Sequence, residues 1–173
     1  MGNVLQKETI LTTKLFKAKD PSLGYDYLSQ HPATQYPELW KEDKKGRRRV
    51  INKCITTAYV TFLALMHQTE TSVIGDFKFH DSGIGTGDEA ITDTALGTAW
   101  GGARDTGTQV ASTNTYTSVA TTTYNASKAI TEHGLFNIAT AGTLMDRTKF
   151  AAINVVDTNQ IQWTFVVTFT AGG

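Results

Sequence analysis

Residues 160–170 read QIQWTFVVTFT and alternate between apolar and polar side chains. The apolar side chains that share one face are Ile161, Trp163, Phe165, Val167 and Phe169. Successive side chains of a strand point to opposite faces of a sheet, so this pattern predicts a half-buried antiparallel strand. A turn signal at residues 157–159 precedes the strand. It predicts a hairpin with another strand over residues 144–156.

Further strand signals lie upstream, linked by short segments rich in threonine and glycine. They cover residues 73–80, 116–124, 129–137 and 144–155, and the first leads into a predicted turn at residues 81–83. Residues 55–66 instead have apolar side chains at the spacing of one helical face, which predicts a short amphipathic helix. Several strands with short polar links predict a mainly β chain. We expect an antiparallel β-sandwich or jelly-roll-like domain with one short helix.

Charge divides the 173 residues near residue 53, although the formal net charge of the chain is zero. Residues 1–53 contain eleven basic and six acidic side chains, whereas residues 54–173 contain five basic and ten acidic ones. This asymmetry predicts a basic, extended N-terminal arm over residues 1–53 that docks on another molecule. Residues 54–173 then form the β-sandwich domain with its leading helix. The alternative is an arm that packs against its own acidic domain.

The predicted arm contains aromatic side chains that are costly to leave in water, together with a cluster of cations. We expect these side chains to form an interface with a neighbouring subunit. They are Tyr25, Tyr27, Tyr36, Leu39, Trp40, Arg47, Arg48 and Arg49. A basic cluster can also bind the phosphates of nucleic acid. Glu42 and Asp43 interrupt this cluster, which argues against nucleic acid as a partner.

The glycine-rich segment 83–87 follows a predicted strand and invites a phosphate-loop interpretation. Asp88 stands where a dinucleotide-binding loop needs its third glycine, and no Gly-Lys-Ser/Thr follows as in a P-loop. Asp81, Asp88 and Glu89 lack the spacing of an EF-hand calcium loop. The segment is therefore predicted to be a turn that needs no ligand.

Other catalytic and metal-binding signals are missing from the sequence. The four histidines show no paired metal spacing, and the single cysteine, Cys54, has no apparent histidine partner. Glu132 and His133 adjoin on a predicted strand and predict a buried structural pair. No apolar run approaches the ~20 residues needed to cross a membrane, so no membrane partner is expected. The sequence thus predicts a protein that is not an enzyme and binds no metal or cofactor.

Sequence blocks in the second part of the chain occur in a specific order. They are FHDSGIGTG at 79–87, DTALGT at 93–98, GTQ at 107–109, AITEHGLF at 129–136 and AGTLMDRTKFAAINV at 141–155. Together with the strand at 161–169, which closes the pattern, they resemble a family of small virion structural proteins of tailed bacteriophages. The resemblance covers roughly the last 100 residues and does not extend to the basic arm.

The resemblance implies a β-rich, non-catalytic component of the virion, assembled in the cytoplasm of a bacterial host. A capsid decoration (cement) protein would bind the major capsid protein or other virion proteins, and its own copies, for instance as a trimer. The alternatives are a tail, baseplate or fibre component that contacts a host receptor through residues 97–114, and a soluble carbohydrate- or ligand-binding β-sandwich.

The resemblance also implies structural roles for four polar residues in the blocks. These residues are Glu132, His133, Asp146 and Arg147. A charge-assisted hydrogen bond between Asp146 and Arg147 is expected, on a turn or across strands. None of the four is expected to be part of an active site.

Overall fold

The computed structural model describes residues 6–51, 54–66 and 76–170, which form two antiparallel five-stranded sheets and two α-helices. The strands are β1 (Gln6–Ala18), β2 (Trp40–Ile51), β3 (Cys54–Ile55), β4 (Phe79–Gly83), β5 (Asp105–Thr106), β6 (Thr108–Ser112), β7 (Thr115–Thr123), β8 (Lys128–Phe136), β9 (Leu144–Val155) and β10 (Gln160–Thr170). The helices are α1 (Gly24–Gln30) and α2 (Thr57–Met66). The predicted mainly β, antiparallel β-sandwich is confirmed.

The two sheets each contain strands from both halves of the chain. The first sheet has the strand order β2-β1-β10-β7-β6, and the second has the order β3-β9-β8-β4-β5. Consecutive strands pair as β1–β2, β4–β5, β6–β7 and β8–β9, while β7 to β8 and β9 to β10 cross from one sheet to the other. The sheets therefore face each other across one shared hydrophobic core.

β10 is the central strand of the first sheet, between β1 and β7. Its alternation is confirmed, because Ile161, Trp163, Phe165 and Val167 are fully buried while the intervening residues are half-buried. Burying a large apolar side chain contributes about 1.5–3 kcal/mol each. This one strand is therefore a main source of core stability.

The predicted hairpin between residues 144–156 and β10 is wrong. β9 lies in the second sheet and β10 in the first, so the turn between them crosses the sandwich. Thr158 has a left-handed backbone there (φ 69°), and its N–H donates to the Tyr124 carbonyl at 2.8 Å. Both strands have an apolar face, and placing them in opposite sheets lets these faces meet in the core.

The predicted extended arm is also wrong, and its alternative describes the structure better. β1 pairs with β10 from Gln6↔Thr170 to Phe16↔Gln160, and β2 pairs with β1. Leu11, Thr13 and Leu15 of β1 are buried, since their side chains face the core on alternate positions. Residues 6–51 are thus strands of the same sandwich, and the boundary at residue 53 is not a structural one.

The remaining local predictions have mixed outcomes. The helix predicted over residues 55–66 is confirmed as α2, although Ile55 belongs to the short strand β3. Residues 73–75 of the next predicted strand lie outside the described residues. The turn predicted at residues 81–83 is wrong, because these residues continue β4 and pair with β8. Within the described ranges, no helix is long and apolar enough to cross a membrane.

The segment between β1 and β2 forms a small cap, residues 19–39, which contains α1 between two short 3-10 helices. Leu28, Ala33 and Trp40 are buried together in a second, minor core. The side chain of Gln160 joins this cap to the sandwich, since its amide nitrogen donates to the Leu28 carbonyl and its oxygen accepts from the Ala33 N–H, each at 3.0 Å. Sequence patterns had not indicated α1 or this anchor.

Candidate functional site

The carboxylate of Glu132 lies fully buried on β8 and accepts four hydrogen bonds. Its Oε1 accepts from the backbone N–H groups of Gly85 and Thr98, each at 2.9 Å. Its Oε2 accepts from the Gly97 N–H at 3.1 Å and from Nε of Arg147 at 2.6 Å. Three loop N–H groups that resemble an anion-binding site are therefore occupied by the protein's own carboxylate.

Arg147 lies on β9 and completes this group, which we call the carboxylate centre: Glu132, Arg147, Asp93 and the N–H groups of residues 85, 97 and 98. Its Nη1 donates to Oδ2 of Asp93 at 2.8 Å and to the Asp88 carbonyl at 3.1 Å. Its Nη2 donates to the Gly87 carbonyl at 3.0 Å. The guanidinium thus fastens the loop after β4 to the second sheet.

The predicted bond between Asp146 and Arg147 is wrong. Adjacent residues of a strand point to opposite faces, so the Arg147 guanidinium lies on the side of Glu132 and Asp93. Oδ1 of Asp146 instead accepts from the Thr148 hydroxyl at 2.7 Å. All four predicted structural residues are buried, as expected of structural polar groups.

Both charges of the carboxylate centre are retained in the fold. Burial raises the pKa of Glu132, but the hydrogen bonds from the Thr98 backbone, Arg147 and the Gly97 backbone outweigh it and hold the pKa below its usual value. Burial lowers the pKa of Arg147, whereas the hydrogen bonds to Asp93 and Glu132 outweigh it and raise the pKa. A buried ion pair needs such extra hydrogen bonds to offset its desolvation.

Two glycines of segment 83–87, Gly83 and Gly85, have a packing role in this centre. A Cβ added to Gly83 would lie 2.5 Å from both Cγ and Oε1 of Glu132, and one added to Gly85 would overlap Oε1. The glycine-rich segment is therefore a loop that approaches a carboxylate closely.

A second buried polar group, the histidine network, connects the two sheets. Nδ1 of His80 lies 3.1 Å from Nε2 of His133, and Nε2 of His80 lies 2.8 Å from the Ser118 hydroxyl. Nδ1 of His133 lies 3.3 Å from the Ser82 hydroxyl, which accepts from the Tyr124 hydroxyl at 2.9 Å. One set of neutral tautomers satisfies every contact, if each group donates toward Ser118.

Burial keeps both imidazoles neutral. It lowers the pKa of His80 to about 3. Burial, followed by the neighbouring His80, lowers the pKa of His133 well below its usual value. The His133 ring also stacks on Trp163, with centroids 3.9 Å apart.

The Ser82–His133 contact combines a hydroxyl and an imidazole, the two groups that start a nucleophilic mechanism. Both side chains are 0% exposed, and the hydroxyl already accepts from Tyr124. A substrate has no direct access to such a buried pair. The contact therefore joins β4 to β8 within the second sheet, and the Tyr124 hydroxyl connects it to the segment after β7 of the first sheet.

A third buried polar group lies at the edge of the second sheet. Nε of Arg104 approaches Oδ2 of Asp81 at 3.4 Å, and its guanidinium covers the ring of Phe136 with its central carbon 3.4 Å from the centroid. Oδ2 of Asp105 accepts from the Thr122 hydroxyl at 2.5 Å. Burial raises the pKa of Asp105 to about 7. Asp81 lies in this group, and among the described residues no three His, Cys, Asp or Glu side chains are grouped to hold a metal ion.

The main surface feature is the basic ribbon, which we define as the cations of β1 and β2: Lys14, Lys17, Lys41, Lys44, Lys45, Arg47, Arg48 and Arg49. The β1–β2 register shifts between Thr13↔Arg48 and Leu15↔Asp43, so residues 44–47 bulge opposite a single residue. Two hydrogen bonds fix the bulge to β1. The Thr13 hydroxyl donates to the Gly46 carbonyl at 3.0 Å and accepts from the Arg48 N–H at 2.8 Å.

Two acidic residues neutralise only part of the basic ribbon. Arg47 pairs with Glu42, and Lys17 pairs with Asp43 at 2.8 Å. Ion pairs at this exposed position are worth little to stability. Most of the positive charge is therefore left for other molecules.

The predicted interface residues have different positions in the structure. Trp40 is only 4% exposed and its Nε1 donates to the His31 carbonyl at 2.9 Å, so its assignment to an interface is corrected: it belongs to the minor core. Leu39 packs against the same core and Tyr25 is half-buried. Arg47 and Arg49 are exposed, and Arg48 is half-buried.

Tyr27 and Tyr36 remain as exposed aromatic residues of the cap. They are 46% and 37% exposed, and His31 lies between them. The His31 ring stacks on Tyr27 with centroids 4.1 Å apart and meets Tyr36 edge-on at 4.7 Å. This three-ring group is a rigid apolar surface on the cap.

A scan against protein-family models, a search of curated proteins and a search of solved structures each returned no match. The resemblance to phage virion proteins therefore stays a prediction from the sequence.

Proposed function

We propose that the protein is a non-enzymatic structural component of a bacteriophage virion, most specifically a decoration protein that stabilises the head by binding neighbouring shell subunits. The observation that carries this proposal is that buried and exposed charges of the molecule have different partners. The buried charges of the carboxylate centre are satisfied within the fold, while among the described residues only Lys17 and Arg47 of the basic ribbon pair with a carboxylate.

The interior supports a structural role over a catalytic one. The blocks that resemble the virion family, at residues 79–87, 93–98, 129–136 and 141–155, meet in the carboxylate centre. Their polar residues hold loops and sheets together. Polar residues that stabilise the fold in this way suit a particle component whose main property is a stable shape.

The surface supports docking of a preformed body on an acidic partner. β1 and β2 are fixed strands of the sandwich, so the basic ribbon needs no large ordering step on binding. Opposite charge steers the encounter, and the exposed Tyr27 and Tyr36 offer the kind of anchor common at protein interfaces. Repetition over a symmetric shell multiplies a weak contact into a durable one.

A tail, baseplate or fibre component is the second candidate, favoured by one feature of residues 97–114. All five residues of β6 are exposed, and Val110 is 63% exposed at this edge of the first sheet. An exposed edge strand is a ready surface for receptor or neighbour contact. A carbohydrate- or ligand-binding module would use the same edge.

Quantitative mass spectrometry of purified particles, separated into heads and tails, tests the proposal. Copy numbers comparable with the major shell protein on heads are expected. A few copies on tails would favour the second candidate. Absence from particles would overturn both virion roles, and tight sugar binding on a glycan array by a protein absent from particles would favour the ligand-binding module. Native mass spectrometry of the purified protein tests the predicted homo-oligomer, including a trimer.

A further inference from the structure

The bulge of β2 forms one wall of a cleft of about 290 Å³, and β9 forms the other. The cleft is lined by Leu15, Lys17, Asp43, Lys45, Gly46, Arg48, Ala152, Ile153 and Asn154. Its cations are Lys17, Lys45 and Arg48, and its exposed apolar group is the Ala152 side chain, since Leu15 and Ile153 are buried in the core. A pocket of this composition suits a side chain that has both a charge and a short apolar stem.

Arg48 is held in this cleft by neutral groups alone. Its Nη1 donates to the carbonyls of Lys45 and Arg47, at 2.7 and 2.8 Å, and its Nη2 lies 3.4 Å from the Ala152 carbonyl. These contacts fix the guanidinium between β2 and β9 without neutralising its charge. Among the described residues, Nε of Arg48 donates to no acceptor.

A guanidinium fixed in this way is preorganised for an oxyanion. Arginine binds carboxylates and phosphates through two parallel N–H groups, and less rotamer entropy is lost when the side chain is already held. Lys45 adds a second cation to the cleft, while the cation of Lys17 is paired with Asp43. The lining therefore contains three cations and one carboxylate, and this net positive charge favours binding of a further negative group.

The charges around the cleft favour a protein carboxylate over a nucleic acid backbone. Asp43 lies in the lining and Glu42 is the residue before it, so the positive field is broken at short intervals. A phosphate chain needs a continuous basic track, with aromatic groups for the bases. The exposed methyl group of Ala152 suits instead the methylene groups of a glutamate.

We propose that the Arg48 cleft recognises an acidic side chain on a segment of the partner protein. This inference rests on the proposed docking role and names the chemistry of the partner at that site. Arg48 and Lys45 bind the carboxylate, and Ala152 on β9 contacts its stem.

The test is isothermal titration of the full chain with a capped hexaglutamate peptide, at an ionic strength of about 0.1 M where exposed charges are partly screened. We expect Arg48→Lys to weaken binding by at least about fivefold, because the charge is kept and the bidentate geometry is lost. Lys19→Arg, an exchange between the same two cations at an exposed residue of the cap outside the basic ribbon, is the control and should change affinity less than about twofold.

Lys45→Gln provides a second variant should Arg48→Lys fold poorly, and it is also expected to weaken binding. Equal effects of Arg48→Lys and Lys19→Arg, no binding of the peptide, or tighter binding of an eight-nucleotide oligothymidylate would each overturn the inference. Because the titration uses the purified chain and the virion role is measured on particles, failure of one is distinguishable from failure of the other.

Discussion

Two arginine–carboxylate pairs in this protein have similar chemistry and opposite surroundings. Arg147 and Glu132 are 4% and 0% exposed in the second sheet, whereas Arg47 and Glu42 are 52% and 26% exposed on the basic ribbon. The buried pair is surrounded by backbone groups that complete its hydrogen bonds, while the exposed pair is surrounded by water. Burial therefore makes the Arg147–Glu132 pair a determinant of the fold, whereas the exposed Arg47–Glu42 pair affects only the charge of the surface.

The first prediction breaks the buried side of this comparison. Glu132→Gln keeps the shape of the side chain but removes its charge. Asp93 is then the one carboxylate of the centre that pairs with Arg147, and the glutamine N–H₂ points toward backbone N–H donors. Breaking a buried pair costs about 3–5 kcal/mol of the free energy of unfolding. Urea titration followed by tryptophan fluorescence measures it.

Glu42→Gln is the matched control on the exposed side. We expect little change in the free energy of unfolding, because solvent screens that pair. Equal losses from the two substitutions would refute the distinction between the pairs.

The second prediction concerns the anchor of the cap. Gln160→Ala leaves the Ala33 N–H and the Leu28 carbonyl without their buried partner, at about 1–3 kcal/mol for each unsatisfied group. Hydrogen exchange of residues 24–40 should rise more than that of β10 itself. Gln162→Ala, a half-buried neighbour on the outward face of β10, is the control and should change stability by less than about 0.5 kcal/mol.

The third prediction uses acid to open the histidine network. The pKa values of His80 and His133 are lowered in the fold, so the unfolded chain binds their protons first as the pH falls below about 6.5. Each histidine then lowers the free energy of unfolding by about 1.4 kcal/mol per pH unit, down to its folded pKa. Thermal midpoints between pH 7 and 4 measure this. Thermal midpoints that do not fall below pH 6.5, with the same pH slope in wild type and in Ser118→Ala, would contradict the assignment of two buried, neutral histidines.

The fourth prediction has the opposite sign and a smaller size. The pKa of Asp105 is raised by burial to about 7, so its contribution to stability is lost as pH rises from about 4 to 7. Asp105→Asn removes this dependence, and the stability of the variant relative to wild type should increase between pH 5 and pH 8. A difference that stays constant across that range would mean that Asp105 is ionised throughout.

The parts of the fold that could be predicted are those that local alternation or helical spacing of apolar residues indicates. The period of two in β10 and the apolar face of α2 are local signals. The sheet to which β9 belongs is not a local property, so its turn was taken for a hairpin. β1 was missed as a core strand because its inward positions include Thr13 between the two leucines, Leu11 and Leu15, in a segment that reads as polar and basic.

The candidate sites show the same limit. Glu132 and Arg147 were identified as structural residues, but their partners Gly85, Gly97 and Thr98 lie 34 to 47 residues away from Glu132. No spacing rule connects a glycine-rich loop to a distant carboxylate. The Arg48 cleft depends on a register shift in β2, which a run of basic residues does not reveal.

The claim that interior charges fold the protein and ribbon charges bind its partner is tested most directly by neutralising the ribbon. A variant with Lys44, Lys45, Arg48 and Arg49 changed to glutamine is mixed with purified heads that lack the protein, and the bound fraction is measured by co-sedimentation. We predict that this variant has a native far-UV circular dichroism spectrum and binds the heads at least about tenfold more weakly than wild type, since opposite charge is the main attraction. Unchanged binding by this folded variant would contradict it.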